Sequence, residues 1–217
     1  MATSDKTSEY FRQCIDGESE TVVVTFGGCG KAIGSILPFE FLNTMNKHFT
    51  DVDAYFYVDH NASWYNKGLL DMTSSIEETA DLIRERVSPY KRKVFIGNSA
   101  GGYASLLFGS LLKAETVVSF IPQTSLTHIK KTAPRTFNVR NIDTEYMDII
   151  PYMNKTTDYH VYRRPSGPQD ALHKVYHVDR IAELEMPNVS IHELRGDLKS
   201  MKNRGELIPT LSDYIYA

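Results

Sequence analysis

Ser99 lies in Gly97-Asn98-Ser99-Ala100-Gly101, a G-x-S-x-G spacing entered from the apolar run Val94-Phe95-Ile96. The segment Tyr103-Ala-Ser-Leu-Leu-Phe108 follows with helical character. A serine that attacks a carbonyl needs its hydroxyl lifted clear of its neighbours, and a sharp strand-to-helix turn achieves this. Glycines two residues to either side make room for that turn, and Gly102 lets the helix approach the sheet. A glycine-rich helix start that serves packing alone has the same spacing. The strand before it and the apolar helix after it favour a nucleophile elbow.

Acyl chemistry at Ser99 also needs two hydrogen-bond donors aimed at the carbonyl oxygen as it gains charge. One is the backbone N–H of Ala100, directly after the serine. The other comes from the loop Gly27-Gly28-Cys29-Gly30, where Gly28 or Cys29 presents its amide; an ordinary tight turn is the plainer reading of this loop. Cys29 has no neighbour that would lower its pKa, so it is a bystander there rather than a nucleophile. Asp59, His60, Trp64, Tyr65 and Lys67 form a polar-aromatic cluster. An indole face flanked by hydrogen-bonding groups suits a sugar ring, and it equally suits an apolar loop anchor. Gln123, in Pro122-Gln123-Thr124, adds a polar group from the opposite wall.

These residues need a frame. Thr21–Phe26 and Val52–Val58 read as buried strands by length and β-branched or aromatic content, and Glu115–Ile121 reads as another. Asp158–Arg163 and Val189–Leu194 add two more. Helices are expected from about Leu37 to His48, from Ile76 to before Pro89 behind a Ser74-Ser75/Glu77-Glu78 capping box, and after the elbow. Further helices are expected around Tyr146 to Met153, from Ala171 to Leu184, and from Leu198 past Gly205. Strands alternating with helices imply a parallel sheet covered on both faces. The ligand crevice then lies beyond the carboxyl ends of the strands, where the loops carrying Gly28, Asp59 and Ser99 converge.

The chain has 217 residues, of which 41% are hydrophobic and 24% charged, enough for one domain with a full core. A net charge of −3 gives no pull toward nucleic acid or an anionic membrane. Two cysteines, Cys14 and Cys29, make no disulfide framework and fit a reducing compartment. The N-terminal residues show no secretory leader, and no apolar run approaches the ~20 residues of a membrane helix. A cytoplasmic protein is expected. Gly28-Cys-Gly30 has Ile33 where a dinucleotide fingerprint needs a small residue, there is no P-loop, and no cluster has zinc spacing. No cofactor and no metal are expected.

Six strands with an elbow after the third and an irregular insert after the fourth resemble the α/β-hydrolase fold. The resemblance implies a mostly parallel, doubly wound sheet of about six strands in a single domain, 1–217. It also implies a small cap insert at about 125–157. Phe26–Gly30, Ser63–Gly68, Gly97–Gly109 and Ile121–Thr124 look like small hydrolase-like proteins associated with bacterial polysaccharide assembly. In that family the triad runs nucleophile, acid, histidine. Asp170, the first carboxylate after the strand ending at Arg163, takes the acid position; a helix N-cap is its other reading. The base belongs on the loop after the last strand, but Arg195-Gly-Asp-Leu-Lys199 contains no histidine. His173, His192 and His60 remain as candidates, with His173 favoured because it stands one helical turn from Asp170. Two functions follow. One is a serine-dependent acyl hydrolase or acyltransferase acting on a glycan or other polar ester. The other is a hydrolase-like module, lacking full chemistry, that binds a glycan or a partner enzyme.

Overall fold

The structure is a computed structural model that describes residues 7–15, 18–28, 39–132, 138–139, 142, 145–164 and 177–217. Cys29, Asp170 and His173 lie outside the described residues, as do parts of the 125–157 insert and the start of the helix expected from Leu37.

The described strands are β1 (Glu9–Arg12), β2 (Thr21–Phe26), β3 (Asp53–Tyr57), β4 (Arg92–Asn98), β5 (Thr116–Phe120), β6 (Asp158–Arg163) and β7 (Val189–Glu193). They form one sheet in the order β1-β3-β2-β4-β5-β6-β7. Neighbours from β3 to β7 pair in parallel, whereas β1 pairs antiparallel to β3. β1 has no counterpart among the strands expected from the sequence, the first of which starts at Thr21. The β1 strand is four residues long, half-exposed, and defined only by its distant partner.

The helices are α1 (Leu42–His48), α2 (Ile76–Val87), α3 (Ala100–Leu111), α4 (Thr127–Thr132), α5 (Val178–Ala182), α6 (Leu198–Asn203) and α7 (Leu207–Ile215). Alternate residues of each buried strand feed two cores, as a period of two requires. Val22, Val24, Phe26 and Phe95 pack with Ile83 of α2, Leu106 of α3 and Ile181 of α5. Val23, Phe56, Ile96 and Phe120 pack with Met45 of α1, Met201 of α6 and Leu211 of α7. The sheet is therefore doubly wound, with helices on both faces.

Two expected helices differ. The segment after Leu198 is two helices, because Gly205 takes φ +73° and ends α6 in a left-handed turn. The stretch Tyr146 to Met153 is two short 3₁₀ turns, Glu145–Met147 and Ile150–Tyr152, with Pro151 opening the second. At α2 the capping is close to expectation. Ser75 Oγ accepts the Glu78 N–H at 3.2 Å, while Glu78 Oε2 accepts the Ser74 N–H at 2.7 Å.

The chain leaves β2 for β3 on one side and returns to β4 on the other. The strand order thus reverses between β2 and β4, at the centre of the sheet. Ligands of open α/β sheets bind at such a reversal, beyond the carboxyl ends. The loops after β2, β3, β4 and β5 all open there.

Candidate active site

Ser99 follows β4 and caps α3 with φ 55° and ψ −116°, a conformation forbidden to most L-residues. Strain of this kind costs on the order of 1–3 kcal/mol and persists only where the surroundings over-determine it. The surroundings here are backbone. A methyl group on Gly97 would fall 1.9 Å from the Gly101 carbonyl oxygen, and one on Gly101 would fall 2.0 Å from that of Phe26. Both elbow glycines are required by close approach, as their spacing predicted. A methyl on Gly102 would meet the Phe120 oxygen at 2.9 Å, so α3 does sit tight on the sheet. The Ser99 N–H is tied to the Phe120 carbonyl at 2.9 Å, which fixes the elbow against β5.

Gly28 comes up beside this serine. A methyl placed on it would lie 3.7 Å from Ser99 Cβ and 3.2 Å from the Asn98 carbonyl oxygen. Its N–H, one of the expected oxyanion donors, donates to Glu40 Oε2 at 3.1 Å. The other Glu40 oxygen accepts Asn98 Nδ2 at 2.8 Å. Glu40 thus brackets the elbow from the β2 side. Loss of hydration pushes its pKa up, and the two hydrogen bonds offset only part of that. No motif marks Glu40, which meets Gly28 only in the folded chain. Ala100, the other expected donor, is fully buried at the first position of α3, where helix N–H groups have no intrahelical partner.

The loop after β3 is wound around Asp59. Its carboxylate accepts the N–H groups of Asn61 at 3.0 Å, Ser63 at 2.6 Å and Tyr65 at 3.0 Å. Asp59, a candidate for substrate contact, is fully buried and accepts these N–H groups from its own loop. Burial raises its pKa, with these N–H groups pulling the other way. Ala62, Trp64 and Tyr65 all take positive φ in this loop, an uncommon concentration for non-glycine residues. The result is a fixed Trp64, only 3% exposed. The buried indole anchors the loop. Its Nε1 donates to Gln123 Oε1 at 3.0 Å, and Gln123 Nε2 lies 3.4 Å from Ser99 Oγ. Trp64, Gln123 and Ser99 are therefore one connected chain.

The described histidines stand elsewhere. His60 Nε2 pairs with the Thr7 carbonyl at 3.0 Å, on the β1 side. His192 lies in β7 opposite Tyr162, stacks on that ring at 4.7 Å, and pairs with His160. Its ring belongs to the α7 face of the sheet. Among the described residues, the side chain that reaches Ser99 Oγ is Gln123.

Described residues of the insert contact α3 and the core. Tyr103 OH donates to the Tyr146 carbonyl at 2.5 Å, Val139 and Ile149 join the core, and Asn138 meets the loop after β3 through Lys67 Nζ at 2.6 Å. Among the described residues, no group of three His, Cys, Asp or Glu is placed to hold a metal, and no helix is long and apolar enough to cross a membrane.

No family model and no curated protein matches the chain. Its fold is shared with solved structures. The capsule O-acetyltransferase of Neisseria meningitidis serogroup A superposes with a TM-score of 0.67 at 14% identity, over 96% of this chain and 92% of that one. FphF, a fluorophosphonate-binding serine hydrolase of Staphylococcus aureus, gives 0.60 at 13% identity, over 98% and 87%. The glycosylation-associated Gap123 complex of Streptococcus agalactiae gives 0.63 at 15% identity, over 94% of this chain but 44% of that one. At such identities the likeness is one of architecture: the chain has a hydrolase-like α/β fold, common to an acetyltransferase, serine hydrolases and a glycosylation-associated protein.

Proposed function

We propose that the protein is a serine-dependent acyl hydrolase or acyltransferase that works through an acyl intermediate on Ser99, with a glycan or other polar ester as substrate. The observation that carries this is Ser99 itself. A strained serine at a helix N-terminus, set at the strand-order reversal and hemmed by two obligatory glycines, has a geometric cost that packing does not demand. In the proposed reaction Ser99 Oγ bonds to the acyl carbon, and the carbonyl π pair moves onto oxygen. The hydroxyl proton passes to His173, oriented by Asp170, and from there to the leaving group. Water or an acceptor hydroxyl then takes the acyl group in the reverse sense. The Neisseria neighbour acetylates a capsule and has been solved in complex with CoA, so an acyl thioester is a donor worth testing alongside simple esters. The 125–157 insert is proposed as a cap over the crevice.

A second reading keeps the fold and drops the chemistry. Gly28 donates to Glu40, and no described histidine reaches the serine. Both features favour a module that binds a glycan or a partner enzyme, a role in keeping with the Gap123 likeness. Labelling by a fluorophosphonate probe separates the two, because it requires an activated serine. Adduct on Ser99 of the wild type and none on Ser99→Ala supports catalysis; an unlabelled, folded wild type favours the binding module.

A further inference from the structure

Gln123 has a more specific place in this site than general substrate contact. An indole N–H is a donor only, so the partner it reaches at 3.0 Å must be the amide oxygen of Gln123. That contact assigns the two ends of the amide: oxygen toward Trp64, NH₂ toward Ser99 Oγ at 3.4 Å. The assignment is held from both sides. Trp64 is buried in a loop that closes on the Asp59 carboxylate. On the other side, Ile121 takes φ 42°, a genuine outlier for a β-branched residue, and its N–H is tied to the Tyr162 carbonyl at 2.7 Å. Pro122 follows, buried, so the turn that carries Gln123 back toward the serine is stiff. A strained backbone on each flank and a side-chain amide hydrogen-bonded at both ends constitute preorganisation.

A tetrahedral intermediate on Ser99 needs donors near Oγ that do not have to reorganise. The Ala100 N–H supplies one. Of the two amides expected from the loop after β2, that of Gly28 is engaged by Glu40 at 3.1 Å, and Cys29 lies outside the described residues. We propose that the Gln123 side-chain amide is an oxyanion donor of this site, completing a hole with the Ala100 N–H. The inference rests on the Ser99 acyl reading. When the Oγ–carbon bond forms and the carbonyl π pair moves onto oxygen, the Gln123 NH₂, held beside Oγ, donates to that oxygen. The hydroxyl proton leaves to the base, and collapse expels the leaving alkoxide. No proton moves through Gln123, which acts only as a fixed dipole.

The test uses the full chain with p-nitrophenyl acetate, comparing wild type, Ser99→Ala, Gln123→Ala, Gln123→Met and Trp64→Phe, each checked for folding by circular dichroism. Removal of one oxyanion donor typically lowers kcat about 10²–10³-fold. Both Gln123 variants are expected to lose about 10²-fold in kcat with KM within about two-fold of wild type, and to react with a fluorophosphonate correspondingly more slowly. Trp64→Phe keeps an aromatic ring but removes the indole N–H and frees the amide to turn, so it is expected to lose less, about 10-fold. Ser99-dependent turnover that survives in Gln123→Ala or Gln123→Met overturns the inference and leaves the Ser99 reading standing. A loss confined to KM overturns it as well, since Gln123 would then bind the ground state. Wild-type activity no greater than that of Ser99→Ala removes the reading and the inference together.

Discussion

His160 Nδ1 and His192 Nε2 face each other across β6 and β7 at 3.2 Å, with His160 Nε2 on Asp158 Oδ2 at 3.0 Å. Tyr214 of α7 stacks on His160 with ring centroids 4.1 Å apart, and its hydroxyl meets that of Tyr162 at 2.8 Å. A nitrogen-to-nitrogen hydrogen bond needs one donor and one acceptor, so this pair has no room for a proton on every nitrogen. His192 is held on the sheet by this pair and by the Tyr162 ring on which it stacks.

The pair makes stability sensitive to acid. Burial first, and the neighbouring His160 second, lower the His192 pKa below its usual value, against the opposite pull of Asp158. The folded state therefore binds fewer protons than the unfolded one below about pH 6.5, and stability falls as the pH drops through that value. Urea midpoints at pH 7.5 and 5.5 are expected to show this loss, and His192→Phe to flatten it. An equally steep pH dependence in the variant would rule out His192 as the source.

Replacing Ser99 separates strain from chemistry. Ser99→Ala removes the oxygen and keeps the Cβ, so the fold survives with little change in stability while Ser99-dependent turnover disappears. Ser99→Gly also removes the Cβ, and φ 55°, ψ −116° is the mirror of an ordinary extended conformation, open to glycine. It is expected to be more stable than Ser99→Ala by about 1 kcal/mol, read from thermal or urea unfolding. Equal stability of the two would mean that the elbow is not strained.

Glu40 gives the opposite sign from His192. Its pKa is raised by desolvation, so ionisation is less favourable in the folded state. Its contribution is fully present below the ordinary carboxylate pKa and is lost as the pH rises through the raised value. The stability of Glu40→Gln relative to wild type is therefore expected to improve between pH 4 and pH 8. A difference that stays constant with pH would exclude a shifted Glu40.

Asp59→Ala leaves the buried amides of Ser63 and Tyr65 without their acceptor, at about 1–3 kcal/mol for each unsatisfied group. A destabilisation of about 2–6 kcal/mol is expected on that basis. Trp64 is the only tryptophan in the chain, so its emission reports the loop directly. A red shift in the variant, matching new exposure of the indole, is the expected signature. Unchanged emission would show that the loop does not depend on Asp59.

Much of the frame was legible because it is local. β-branched runs marked β2 and β5, Ser75 with Glu78 marked the start of α2, and glycine spacing marked the elbow down to its two close approaches. The site's polar wiring was not. Asp59 and Trp64 stood in the right loop, but whether they face inward or outward depends on left-handed turns at Ala62, Trp64 and Tyr65 that no residue type announces. Glu40 reaches Gly28 across twelve residues, and Gln123 reaches Trp64 across fifty-nine. Contacts of that range belong to the assembled sheet. The same holds for β1, whose sequence Glu-Tyr-Phe-Arg takes its meaning from β3.

That short strand has a further consequence. β3 is the second strand from one end of the sheet, and β1 occupies the row of backbone groups it would otherwise present to solvent. Tyr10 and Phe11 remain about 40% exposed, so apolar surface and an open strand edge sit together only four residues wide. Detachment of β1 would uncover Tyr55 and Phe56 along with the unpaired edge of β3, a template for strand addition by another chain. Resistance to aggregation in this protein thus depends on four residues at the far side of the sheet from the last strand, remote in sequence from the serine.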